Sequence, residues 1–102
     1  MNIITLPKRT EHALRELTGE ARPDVALVLV MRDAVAYRIQ RLDEGLTAFE
    51  AKYGMTWDAF RDRWQDETRE QDYAWEAERD YLEWEGMVTR RQRLDDVYGW
   101  LG

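Results

Sequence analysis

A chain of 102 residues that is 44% hydrophobic and 35% charged, with 6 glycines and 2 prolines, has room for one domain or a small module with an extension, and its composition favours helices. The absence of cysteine excludes a disulfide framework, thiolate zinc sites and a cysteine nucleophile, and a lone histidine, His12, excludes a multi-histidine metal centre. The net charge of −6 is unevenly spread: residues 1–41 carry +2, residues 42–102 carry −8, and residues 66–85 alone carry −7, which points to two faces with different partners.

The first element in chain order is the β-branched run NIITL, ended by Pro7, and it is expected to form a short N-terminal strand. KRTEHALRELTG follows, with Thr10, Ala13, Leu14 and Leu17 at helical spacing before Gly19, the pattern of a short amphipathic helix stopped by a left-handed glycine. After the loop EARPD, with Pro23 suited to a first helical turn, the spacing of Val28, Met31, Val35, Ile39, Leu42, Leu46, Phe49 and Tyr53 predicts one continuous helix ended by Gly54. Its opening turns, VALVLVM, are apolar on every side, which a second chain would cover better than a small monomer could. Thr56 then suits the N-cap of a short helix carrying Trp57, Phe60 and Trp64 on one face. The last helix is predicted from about residue 70 to 100, with Tyr73, Ala77, Tyr81, Trp84, Met87 or Val88, Leu94, Tyr98 and Leu101 in its seam and the stem of Arg91 completing the spacing. The expected fold is mainly α: a short strand and helix, then a long antiparallel helical hairpin with a short connecting helix.

No run of apolar residues approaches the roughly 20 needed to span a membrane, and MNIITLPKR lacks the parts of a signal peptide. A soluble cytoplasmic protein without a membrane partner is expected. Glu76, Asp80 and Glu83 share one side of the last helix, but di-metal bundle sites also need Glu-x-x-His pairs, and none occurs. The chain has no serine, no phosphate-loop glycine pattern and no threonine in a nucleophile motif, so the expectation is a non-enzyme with no catalytic residues, metal or cofactor. Trp75 lies about 160–200° around the helix from Tyr73 and Ala77, with Leu82 and Trp100 beside it, a thin apolar line on the outward side of an acidic helix. Exposed tryptophan among carboxylates is the kind of anchor that protein interfaces use, although packing against the N-terminal segment would account for it equally well.

The order strand, helix, loop, helix in residues 2–41, carried by ITLPKRTEHALREL, resembles the ribbon-helix-helix family of dimeric bacterial DNA-binding proteins. That resemblance implies a paired ribbon in the major groove, with Ile3 and Thr5 facing the bases and Lys8 and Arg9 near phosphates. Ile3 is a poor reader of bases, and Asp24 opposes phosphate at the next helix start, so a dimerisation module that binds no DNA is the alternative. EAKYGMTWDAF followed by ERDYLEWEGMVTRRQRL is similar to small helical proteins encoded beside toxins, of antitoxin type. Together the two resemblances imply a homodimeric module over residues 1–41 and an acidic helical extension over residues 42–102. The implied function is an antitoxin that neutralises a basic, RNA-targeting toxin and represses its own operon. DNA contact falls to Thr5, Lys8 and Arg9, and toxin contact to Trp75, Glu76, Asp80, Leu82 and Glu83. The rival expectation is a non-catalytic helical homodimer that binds neither toxin nor DNA.

Overall fold

A computed structural model of the chain describes residues 5–66 and 75–101. Among them are four helices, α1 (Lys8–Thr18), α2 (Pro23–Tyr53), α3 (Trp57–Trp64) and α4 (Trp75–Leu101), and no strand. The helix ends follow local chemistry. Gly19 takes a left-handed φ of 73° and its N–H donates to the Arg15 carbonyl, closing α1. Pro23 opens α2, and Gly54, at φ 66°, closes it by donating to the Glu50 carbonyl. Thr56 caps α3, its hydroxyl accepting from the Ala59 N–H.

Helices α2 and α4 pack antiparallel, as their contacts show in descending order: Arg32 over the Tyr98 ring, Asp43 to Arg91, Phe49 on Trp84, and Tyr53 to Asp80. The 3-and-4 spacing of apolar residues keeps one stripe of each helix on this seam, where Val35, Trp84 and Leu94 are buried. Gly45 leaves room in the seam for the Met87 side chain, because a Cβ there would collide with its terminal methyl. At the turn, α3 folds its aromatic face onto the hairpin. Phe60 sits 5.0 Å from Trp84 and 4.5 Å from Tyr53, and Trp64 stacks on Tyr81 at 4.9 Å between ring centroids. At the other end α1 packs on the start of α2, with Leu14 and Ala26 buried.

The molecule measures 60 × 25 × 20 Å with a radius of gyration of 19.8 Å, where a compact globule of this length would have about 13 Å. No described helix is long and apolar enough to cross a membrane.

The mainly helical expectation and the hairpin with its connecting helix agree with the structure, but the N-terminal strand does not. Thr5 and Leu6, the described end of the expected strand, belong to neither helix nor strand, and Asn2, Ile3 and Ile4 lie outside the described residues. The physical reason is pairing: a single extended run leaves its N–H and C=O groups without a ladder, and no other described segment offers a strand beside it. Among the described residues the fold is helical and lacks the paired ribbon that a ribbon-helix-helix fold requires. The division expected between residues 41 and 42 falls in the middle of α2, which runs through it without a break.

Candidate functional site on the outward side of the last helix

The aromatic seam orients α4 and so decides which of its side chains point away. With Trp84 fully buried against Phe49, Trp57 and Phe60, the residues half a turn away must face solvent. Trp75 is 74% exposed and Leu82 61%, and because seven residues are close to two helical turns they lie on one line along the helix. Glu76, Glu78, Glu83 and Glu85 are exposed beside that line with Arg79 as the one exposed base, a local charge of −3. Tyr73, assigned to the seam from its spacing, lies outside the described residues.

Asp80, grouped with the outward-facing residues from its spacing, is instead buried at 4% exposure. Its carboxylate accepts from the Tyr53 hydroxyl at 2.5 Å and from the Lys52 ammonium at 2.6 Å, and Lys52 also reaches Glu76 at 2.6 Å. Burial pushes the Asp80 carboxyl pKa upward, but the hydrogen bonds from Lys52 and Tyr53 outweigh it and hold the group below its ordinary value. Burial and the bond to Asp80 push the Tyr53 phenol up to about 12, and the bonds to Asp80 and Glu76 raise Lys52 above the ordinary lysine value. Asp80 thus clamps α2 to α4 and is removed from the set available to a partner. Glu76 stays exposed with one oxygen engaged, while Trp75, Leu82 and Glu83 face outward as their spacing implies.

A second cross-link holds the middle of the hairpin. The Arg91 guanidinium donates to both Asp43 oxygens, at 2.6 and 3.3 Å, and also pairs with Asp95. Sequence reasoning placed the Arg91 stem in the seam but missed its partner, and the available signal was Asp43, an acid next to the stripe residue Leu42. Farther along, Arg38, Arg41 and Arg90 border a groove over Leu42 and Leu94, so the hairpin is acidic near its turn and basic near its middle.

The N-terminal residues do not gather into a site. Thr5 precedes α1, and Lys8 and Arg9 lie exposed in its first turn, without a ribbon to carry them into a groove. Among the described residues no group of three or more His, Asp or Glu side chains is placed to hold a metal. What the arrangement offers chemically is a surface: two apolar anchors bordered by carboxylates, on a helix fixed by an aromatic core and two ion-pair clamps. In comparisons with known proteins, no family model, no curated protein and no solved structure matches the chain.

Proposed function

We propose that this chain is a binding protein of antitoxin type, which neutralises a basic, RNA-targeting toxin by laying the outward side of α4 over the toxin's nucleic-acid groove. The observation that carries the reading is the pair Trp75 and Leu82, both exposed on a stretch of helix with a local charge of −3. A protein that handles RNA needs a positive groove for phosphates, and an acidic helix complements it, speeds encounter and excludes the substrate. Trp75 supplies the desolvated anchor that charge alone lacks. Helix α4 reaches the partner already ordered, which lowers the entropic cost of binding. The reading is confined to masking by protein contact; Thr5, Lys8 and Arg9 take no part in it.

The test is co-expression with the product of the adjacent gene. Rescue of growth and a complex that weakens with added salt are expected. Trp75→Ala should weaken that complex about 30-fold, corresponding to roughly 2 kcal/mol for a central aromatic anchor. An adjacent product that is neither toxic nor bound by this protein would sink the reading.

A further inference from the structure

Where α2 meets α4, Lys52 pairs with Glu76 and Asp80, Arg91 pairs with Asp43 and Asp95, and Arg32 lies over the Tyr98 ring. Three further arginines at the same joint are different. Arg38 and Arg41 on α2 and Arg90 on α4 border one groove of about 180 Å³, floored by Leu42 and the buried Leu94. Among the described residues none of the three makes an ion pair or a side-chain hydrogen bond.

The sequence withholds acids from them. No carboxylate stands three or four residues from Arg38 or Arg90, and for Arg41 only Glu44 does. In the structure Glu44 instead borders a separate hollow on the other flank of α2, with Gln40 and Thr47. Glu83 is seven residues from Arg90, about 10 Å along the helix, and Asp43 and Asp95 are held by Arg91. A chain with 21 acids to 15 lysines and arginines thus keeps an uncompensated +3 around one apolar-floored groove.

Three guanidinium forks match an oxyanion, and their number selects among oxyanions. A phosphate monoester offers three terminal oxygens and a charge of about −1.5 to −2, whereas a carboxylate offers two oxygens and a single charge. The groove has about six water-sized volumes at about 30 Å³ each, room for a phosphoryl group but not for the body that carries it. Tyr37 can meet that body. It is 60% exposed, one turn before Arg41 and about 40° from it around α2, and presents an aromatic face on which a ring can stack.

We infer that this groove binds a phosphate monoester with an aromatic body, either a free nucleotide or the phosphorylated end of a nucleic-acid strand. Arg38, Arg41 and Arg90 hold the phosphate, the two leucines line the floor, and Tyr37 takes the base. The site does not rest on the proposed function. It would repel a basic toxin, and Arg90 lies about 60–80° around α4 from Trp75 and Leu82.

The test is calorimetric titration of the pure full chain at low ionic strength. Adenosine monophosphate should bind, adenosine should not, and an acidic peptide of glutamate and leucine should bind more weakly than the nucleotide. Arg38→Gln and Arg90→Gln should each weaken nucleotide binding about tenfold or more, the loss of one charge-assisted contact. Arg93→Gln, which removes an exposed arginine outside the groove, should leave it unchanged. Tyr37→Ala should weaken nucleotide binding about fivefold or more, and binding of inorganic phosphate less. An RNA oligonucleotide with a terminal phosphate separates the two sources: affinity at least about tenfold above the mononucleotide assigns the site to strand ends, and equal affinity assigns it to free nucleotides. No binding of either phosphorylated ligand, an equal loss in Arg93→Gln, tighter binding of the acidic peptide, or an oligonucleotide held equally well without its terminal phosphate would each overturn the assignment.

Discussion

The carboxylate of Asp80 sits where a small rotation separates a docking residue from a structural one. By spacing it lies only about 40° from Trp84, at the edge of the seam, and an edge position turns inward when the facing helix offers it partners. Lys52 and Tyr53 are those partners. Because the folded pKa of Asp80 is below the ordinary 3.8, the stabilisation it carries is present above that pH and is lost as pH falls through the folded value. Lys52 and Tyr53 are raised, so their share is present below about 10 and is lost as pH rises through their folded values, about 12 for Tyr53. Urea unfolding across pH should therefore show a plateau falling at both ends. Asp80→Asn should lower the plateau by about 1–2 kcal/mol, a modest figure because Lys52 is part-exposed, and should flatten both falls. Trp84 tests the core beside it. Its Nε1 is buried without a hydrogen-bond partner, so Trp84→Phe should cost clearly less than Trp84→Ala, for which about 3–5 kcal/mol is expected.

Helix boundaries here are local events, and each can be moved by one atom group. Gly54 holds a left-handed φ that lets α2 turn into α3, and Gly54→Ala should cost about 1–2 kcal/mol even though nothing crowds its Cβ. Gly45 is the opposite case: its backbone is ordinary for a helix, but Met87 fills the space above it. Gly45→Leu should therefore destabilise by about 1–3 kcal/mol through overpacking of the α2–α4 seam. Equal effects of the two substitutions on α3 and on the seam, read by tryptophan fluorescence during unfolding, would contradict this separation of causes. The capping residues and the seam stripe were legible in the sequence because they depend on neighbours within a turn or two. The Asp43–Arg91 and Lys52–Asp80 pairs were not, since their partners are 48 and 28 residues apart and depend on the register of the hairpin.

The 60 Å length of the protein leaves its stability unevenly distributed. The aromatic cluster at the turn joins three helices, whereas α1 buries only Leu14 against α2. Native-state hydrogen exchange should show α1 amides opening at much lower free energy than those of α2 and α4 near Phe49 and Trp84; uniform protection would contradict that gradient. Small-angle scattering of the chain at low concentration should give a radius of gyration close to 19.8 Å, well above the roughly 13 Å of a compact globule. The N-terminal run illustrates what shape decides. NIITL has the composition of a strand, but a strand exists only beside another, and the four described helices provide none.

The sequence by itself determined the glycine stops at Gly19 and Gly54 and the Thr56 cap, the seam positions Val35, Trp84 and Leu94, and that Trp75 and Leu82 lie opposite that seam, whereas Val28 and Met31, placed on the same stripe by spacing, are exposed. Periodicity and capping chemistry act over a few residues and need no knowledge of the rest of the chain. Only the tertiary structure decided that no described segment offers a strand beside Thr5 and Leu6, that Asp80 turns inward to Lys52 and Tyr53, and that none of the described helices covers Trp75 and Leu82. Those outcomes depend on which distant group arrives at a given position, and that is settled by the antiparallel register of α2 against α4.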